Sequence, residues 1–199
     1  PIGTGIAFTH KYNNEKNICR TYIGDGAMNN GQVFEAFNLA ALWKLPVLYI
    51  IENNKYGMGT SVDRAAAGLD LYKRGEAFGI PGEKVDGMNI FKVIDAADRA
   101  GKYVREGNGP YIIEVQTYRY RGHSMSDPAK YRTKEELENY KETDPIEIVK
   151  KEMIEKKFAT EKEIEKINKD TLEEIKNAAD FALKSNYPND SELYTDVYI

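Results

Sequence analysis

The sequence feature that most constrains the fold is the continuous apolar run Val47–Ile51, which ends at the polar turn Glu52–Lys55. An uninterrupted apolar run of strand length is typical of a strand that is buried on both faces of a parallel sheet. Further strands are predicted at Ile18–Ile23 and Tyr111–Val115, and apolar residues at helical spacing predict helices between them, including Ile90–Val104. This alternation predicts an α/β fold with a mostly parallel sheet flanked by helices.

The composition changes near residue 132, beyond which Lys and Glu dominate. Thr133 and Thr160 each stand three residues before a Glu, a spacing typical of a helix capping box. We therefore divide the chain into an N-terminally truncated α/β domain, residues 1–131, and a charged helical C-terminal extension, residues 132–199. The thin apolar stripe that starts at Ile164 indicates either a partner-binding helix or, in our preferred interpretation, a helix that packs on its own domain.

Charge and composition exclude several classes of protein. A formal net charge of −4 gives no electrostatic reason to bind nucleic acid, and no apolar run approaches the roughly 20 residues that cross a bilayer. The single Cys19 excludes a disulfide framework and a thiolate metal cluster. These observations predict a soluble, intracellular protein that binds neither nucleic acid nor membrane. The chain begins at Pro1 like the inside of a Gly/Ala-rich helix, so we expect a fragment of a longer protein.

Two polar turns follow the first two predicted strands. Gly24-Asp25-Gly26 follows the first, and Asn53-Asn54 follows the second. Because ligands gather at the carboxyl ends of parallel strands, we expect an amide oxygen to lie beside the Asp25 carboxylate. One carboxylate, one amide and a nearby backbone carbonyl would leave open positions on Mg²⁺ for water and phosphate oxygens. The pair therefore predicts a Mg²⁺-diphosphate site, although the tripeptide alone is equally well a plain turn.

Gly24-Asp25-Gly26, followed 27 positions after Gly26 by Asn53-Asn54, resembles the thiamine diphosphate signature. Three longer stretches, Gly24–Pro46, Glu52–Ser61 and Gln116–Pro128, are similar to the α subunits of thiamine diphosphate-dependent 2-oxo acid dehydrogenases, above all those of the pyruvate dehydrogenase first component. The resemblance covers nearly the whole chain and is weakest in the charged tail. It implies the diphosphate-binding domain of the thiamine diphosphate-binding fold.

The resemblance also implies roles for individual residues. Asp25 and Asn54 would be side-chain ligands of Mg²⁺, and Tyr56 would add its main-chain oxygen. Asn53 is then interpreted as a strand-end turn residue rather than a ligand. The cofactor-binding residues implied by the resemblance are Asp25, Gly26, Ala27, Asn54, Tyr56 and His123.

His123 lies in a polar loop with Arg119 and Arg121, directly after the strand predicted at 111–115. A lone histidine is more often structural, but an imidazole beside guanidinium groups suits the binding of phosphate or carboxylate. The resemblance places this loop at the mouth of the active site. There the matching histidine contacts the cofactor phosphates and assists acyl transfer, so we predict a catalytic role for His123.

Ser61 and Ser124 fall where related mitochondrial chains are phosphorylated by dedicated kinases. The loop is one residue shorter here, and Lys130 stands near the position of a further regulated serine. This departure favours a bacterial enzyme in which Ser124 only orders the loop. The expected location is therefore the bacterial cytoplasm, with the mitochondrial matrix as the alternative.

The activity implied by the resemblance is oxidative decarboxylation of pyruvate, with transfer of the acetyl group to lipoyl groups of the acyltransferase component. The cofactors would be thiamine diphosphate and Mg²⁺. The partner would be a β subunit in an assembly of two α and two β chains, and the glutamate that activates the cofactor ring would belong to that β subunit. The alternatives are a branched-chain 2-oxo acid or acetoin dehydrogenase, a non-catalytic assembly piece, and, more distantly, a nucleotide-binding domain.

Overall fold

The computed structural model describes residues 1–197, and the chain divides into two compact units. The first unit comprises residues 1–148, and the second begins at residue 149. Residues 132–148 thus belong with the α/β unit by their contacts, while the functional boundary at residue 132 stays a prediction.

The α/β unit contains a parallel sheet and a small hairpin. The strands are β1 (Cys19–Gly24), β2 (Val47–Asn53), β3 (Tyr56–Gly57), β4 (Thr60–Ser61), β5 (Gly82–Asp86) and β6 (Tyr111–Gln116). Four of them form a sheet in the order β1-β2-β6-β5, and every neighbouring pair in it is parallel. The predicted α/β fold with a mostly parallel sheet is confirmed.

Seven α-helices accompany the strands within residues 1–197. They are α1 (Ile2–Tyr12), α2 (Gly31–Leu42), α3 (Val62–Ala65), α4 (Ile90–Arg105), α5 (Lys134–Lys141), α6 (Pro145–Glu155) and α7 (Glu161–Lys184). Short 3₁₀ segments lie at Ala27–Asn29, Leu71–Phe78 and Asp190–Tyr194. Asn30 begins α2 because its side chain accepts a hydrogen bond from Gln32 N at 3.0 Å, which satisfies one free donor of the first turn. Within the described part of the chain, no helix has both the length and the apolar character that a membrane span requires.

The core lies on both faces of the sheet, as the apolar run of β2 predicts. Val47, Tyr49 and Ile51 point to one face, where they pack with α1 and α2. Leu48 points to the other face and packs with apolar residues of α4. Phe37 of α2 is fully buried and meets the Tyr49 ring edge-on at a centroid distance of 4.7 Å. The sheet is thereby fixed between two helical layers, with its strand ends free to build a site.

One strand and one helix cap differ from the sequence pattern. The sequence pattern of residues 68–82 predicts helix and turn, but the structure has the strand β5 at Gly82–Asp86. This strand lies at the edge of the sheet and buries only Val85, so its sequence has no apolar run. The capping box at Thr160 is confirmed in both hydrogen bonds. At Thr133 half of the box forms, because the Glu136 carboxylate accepts hydrogen bonds from two tyrosines of the α/β unit.

Candidate functional site

The carboxyl ends of β1 and β2 bring together Asp25, Asn54 and the main chain of Tyr56. The two strands pair in register up to Gly24 opposite Glu52, so the residues that follow each strand are neighbours. One terminal atom of the Asn54 amide lies 3.2 Å from Asp25 Oδ1 and 3.2 Å from the Tyr56 carbonyl oxygen. An amide beside the Asp25 carboxylate, as the spacing predicts, is therefore observed, and Asp25 is only 4% exposed.

The hydrogen bonding of this cluster is satisfied with the Asn54 amide nitrogen inward, because that nitrogen then donates to Asp25 Oδ1 and to the Tyr56 carbonyl oxygen. With the amide oxygen inward, the same position would instead offer a third oxygen to a cation. Neighbouring ligands of an octahedral Mg²⁺ at 2.0–2.1 Å are about 3 Å apart, which is close to the observed separation. No group of three His, Cys, Asp or Glu suited to a metal occurs among residues 1–197. The oxygen cluster fits a small hard cation that also takes water and phosphate ligands.

The electrostatics of the cluster centre on Asp25. Burial raises the pKa of its carboxyl group, while main-chain N–H donors from Asp25 itself and Asn54, and the charges of Arg119 and Lys55, act in the opposite direction. Burial also lowers the pKa of the half-buried Lys55 ammonium group. A buried carboxylate in this state gains from a cation placed against it, because the cation offsets lost solvation.

Asn53 shapes the turn that follows β2. Its Oδ1 accepts a hydrogen bond from Lys55 N at 3.2 Å, which forms an Asx turn. Lys55 then adopts a left-handed conformation with φ of 76°, and Lys55 O accepts from Val62 N at 3.1 Å. The interpretation of Asn53 as a turn residue is confirmed, and the turn leads into Tyr56, whose carbonyl oxygen lies 3.2 Å from the Asn54 amide.

Two glycines allow the close approach of the two turns. A Cβ atom on Gly57 would lie 3.1 Å from Gly26 Cα, and a Cβ atom on Gly26 would lie 3.2 Å from Gly57 Cα. Both distances are shorter than an ordinary contact between carbon atoms. Ala27 follows at the start of the short segment Ala27–Asn29. The predicted residues Gly26 and Ala27 thus lie in the turn next to Asp25.

Arg119 joins the strand-end cluster to the loop after β6. Its Nη1 donates to the Tyr56 carbonyl oxygen at 3.1 Å, and its Nη2 donates to Met58 O at 2.6 Å and to the Tyr131 hydroxyl at 2.8 Å. One guanidinium group therefore binds the main chain at Tyr56 and Met58, on either side of Gly57, and the side chain of Tyr131 in the loop after β6.

His123 lies on that loop, and its side chain is exposed. Asp127 holds the loop, because its carboxylate accepts from His123 N at 2.7 Å, from Ala129 N at 2.8 Å and from the Tyr131 hydroxyl at 2.8 Å. The structure does not bring the imidazole into the oxygen cluster directly. It connects the main chain of His123 to the Tyr56 carbonyl through the hydrogen bonds of Asp127, Tyr131 and Arg119.

The tyrosines of the loop pack against one another and against neighbouring residues. Tyr118 stacks on Tyr140 at a centroid distance of 4.0 Å, and Tyr131 packs beside Tyr56 at 5.1 Å. The Tyr56 hydroxyl donates to Glu136 at 2.9 Å. Burial and that hydrogen bond raise the pKa of Tyr56 to about 12, so the phenol remains a protonated donor at neutral pH.

Comparison with known proteins identifies the family. The sequence profile of the family described as Dehydrogenase E1 component matches residues 1–191. The chain belongs to this family.

Proteins of the dehydrogenase E1 family that are similar to this chain include bacterial proteins and a eukaryotic one. A Rickettsia felis protein is 57% identical over 198 residues, and a Rhizobium meliloti protein is 54% identical over 199 residues. Both are named pyruvate dehydrogenase E1 component subunit alpha, and a Dictyostelium discoideum protein with that name and the designation mitochondrial is 50% identical over 201 residues. Each match covers all of this chain, which spans 61%, 57% and 53% of the three relatives respectively.

Three residues around this site of the E1-family chain have structural roles that were not predicted from the sequence. The sequence pattern marks Arg119 only as a basic neighbour of His123, and Glu136 only as a helix-cap residue. It assigns no role to Glu114, which is fully buried within β6. A signal for Glu114 was present, since it is the only charged residue in the otherwise apolar run Tyr111–Val115.

Proposed function

We propose that this chain acts as the α subunit of a thiamine diphosphate-dependent E1 enzyme that decarboxylates pyruvate oxidatively and transfers the acetyl group to a lipoyl group. The observation that supports it most directly is the convergence of Asp25, Asn54 and the Tyr56 carbonyl at the carboxyl edge of a parallel sheet. Membership of the E1 family and the names of the relatives support the same chemistry.

In this proposal Mg²⁺ is held by Asp25 Oδ1, the Asn54 amide oxygen and the Tyr56 main-chain oxygen. The donor set is all oxygen with a single carboxylate, which suits a cation that keeps positions for phosphate oxygens and water. The diphosphate would lie against Asp25, Gly26, Ala27 and Asn54. The contact between the Gly26 and Gly57 main chains supports this arrangement, because it leaves no side chain between the two turns.

Thiamine diphosphate, when bound, supplies the carbon nucleophile and the electron sink that decarboxylation of a 2-oxo acid requires. The contribution of this chain is to bind and to orient. Arg119 fixes the Tyr56 carbonyl and supplies positive charge close to Asp25. His123 is proposed to bind phosphate and to assist acyl transfer from its exposed position on the loop held by Asp127.

The partners in this proposal are a β subunit, in an assembly of two α and two β chains, and the lipoyl-bearing acyltransferase component. The β subunit would contribute the glutamate that activates the cofactor ring. The bacterial cytoplasm is the proposed location, on the basis of the short loop and Lys130.

The first experiment measures thiamine diphosphate binding by calorimetry, with and without Mg²⁺, on the longest natural form of the chain assembled with the β subunit. We expect binding that requires Mg²⁺ and is lost in Asp25→Asn. The matched control is Glu52→Gln, which neutralises an exposed carboxylate near the carboxyl end of the neighbouring strand β2 and should bind normally. If the assembled wild-type protein binds no cofactor, the non-catalytic assembly role replaces the proposal.

Substrate choice needs a second measurement on the same assembly. Dye-linked turnover of pyruvate, 3-methyl-2-oxobutanoate and acetoin is compared side by side, and pyruvate should be preferred. Preference for either of the others would retain the cofactor site and assign the chain to a branched-chain or acetoin enzyme.

A further inference from the structure

Glu114 is a carboxylate buried in the middle of the sheet. It lies in β6, between β2 and β5, and its side chain is 0% exposed. A carboxylate in such a position lowers stability unless its oxygens are hydrogen-bonded. Three donors meet this need: Asn53 Nδ2 at 2.7 Å and Gln116 Nε2 at 2.5 Å bind Oε1, and Tyr72 N binds Oε2 at 3.0 Å.

These contacts form part of a closed ring of hydrogen bonds. From Lys55 N the ring runs to Asn53 Oδ1, and from Asn53 Nδ2 to Glu114. It returns through Gln116, whose amide nitrogen donates to Glu114 and whose amide oxygen accepts from Lys55 Nζ. The ring therefore holds Lys55 at both its main chain and its side chain, with Glu114 as the common acceptor.

Lys55 is the residue on which the geometry of the proposed metal site depends. It stands between Asn54 and Tyr56, whose oxygens complete the cluster with Asp25. Its φ of 76° is a conformation that L residues with a side chain adopt at a cost, so surrounding contacts must maintain it. The ring supplies such contacts, because it binds the Lys55 N–H through Asn53 and the Lys55 ammonium group through Gln116.

We propose that Glu114 is a positioning residue, acting through Asn53 to hold the turn that presents Asn54 and the Tyr56 carbonyl to the metal. This inference rests on the proposed Mg²⁺ role of the cluster. Glu114 itself touches none of the proposed ligands; its effect passes through the Asn53 side chain, which is 2% exposed and bonded to Glu114 and to Lys55 N.

The test measures metal affinity directly, with Mn²⁺ as the probe, by electron paramagnetic resonance on the full chain in its assembly. Glu114→Gln keeps the shape of the side chain, but its amide NH₂ must face a donor in place of an accepting oxygen. We expect Mn²⁺ affinity to fall about tenfold, the lower end of the range that is usual when a direct partner of a metal ligand is lost, because Glu114 acts one contact further from the metal. Thr4→Val is the control: it removes a buried hydrogen bond to Tyr49, 2.7 Å long, and should lower the melting temperature without changing Mn²⁺ affinity.

A second variant and a double-mutant cycle separate positioning from stability. Asn53→Ala should weaken Mn²⁺ binding by a similar factor, and adding Glu114→Gln to it should weaken binding little further, because both act through one contact. If Glu114→Gln does not fold, Asn53→Ala decides the question alone. Folded variants that bind Mn²⁺ within twofold of wild type would refute the positioning role. Wild-type protein without binding that depends on Asp25 would instead refute the metal site, and the positioning role with it.

Discussion

Replacing Gly57 by Ala should weaken metal binding through a steric effect that can be estimated from the structure. The added Cβ atom would lie 3.1 Å from Gly26 Cα, whereas carbon atoms normally approach to about 3.5–4.0 Å. The two turns must therefore separate by about 0.4 Å or more. If the Tyr56 carbonyl follows, its distance from the Asn54 amide grows from 3.2 Å to about 3.6 Å, beyond the spacing of about 3 Å in an octahedral Mg²⁺ site.

We expect this change to lower Mg²⁺ affinity about tenfold, which corresponds to about 1.4 kcal/mol, with a smaller effect on folding. Gly57 does not have a positive φ, so alanine brings no backbone strain and the steric contact is tested alone. The assay is calorimetric titration of Mg²⁺ in the presence of thiamine diphosphate. Gly24→Ala is the matched control, because a Cβ atom there meets nothing within 4 Å. Equal Mg²⁺ affinity in Gly57→Ala and wild type, or an equal loss in Gly24→Ala, would refute the reasoning.

Three further predictions concern the core, the sheet edge and the loop. Phe37→Ala should lower the free energy of unfolding by about 3–5 kcal/mol in urea titrations, because the ring is fully buried. A decrease of less than about 1 kcal/mol would contradict the assignment of Phe37 to the core. Hydrogen bonds from lysines, chiefly Lys84, lower the pKa of Asp70 to about 2, so this contribution to stability is present above about pH 4 and lost as the pH falls to 2. The melting temperature of Asp70→Asn should therefore lie below that of wild type at pH 6, and the two should converge by pH 2. A difference in melting temperature that does not change with pH would show that the ionised Asp70 carboxylate is not its cause. Tyr131→Phe removes a hydroxyl that donates to Asp127 and should speed amide hydrogen exchange in the His123 loop about tenfold. Unchanged exchange rates would show that this hydroxyl does not hold the loop.

The sequence pattern predicted the parts of the fold whose burial is continuous. The β2 strand was found because both of its faces are covered, which leaves an unbroken apolar run. The edge strand β5 was missed because only Val85 is buried there, so its composition resembles a loop. The local pattern at Thr133 also predicts less than the structure shows. Only half of the capping box forms there, because the Glu136 carboxylate accepts hydrogen bonds from tyrosines that are distant in the chain.

The site was predictable where side chains follow strand ends. Asp25 could be paired with the Asn53-Asn54 turn from spacing, because parallel strands bring their carboxyl ends to one edge. The choice of Asn54 over Asn53 came from the family resemblance. Tyr56 was accessible only through family resemblance, since it offers a main-chain oxygen that any residue type would have. The contact of Arg119 with that oxygen depends on how the loop folds back, which no local pattern encodes.

The hydrogen bonds of the Asn54 amide have a consequence for the cation-free form of the proposed metal site. With its nitrogen inward, the amide donates to Asp25 Oδ1 and to the Tyr56 carbonyl oxygen, each at 3.2 Å. Asp25, which is only 4% exposed, thereby has a hydrogen-bond partner without a cation. In the proposed cation-bound form, a half-rotation of the amide would present its oxygen instead, with the main chain in place. Loss of the proposed cation would then be separate from unfolding, and a returning cation would meet a turn that is already formed.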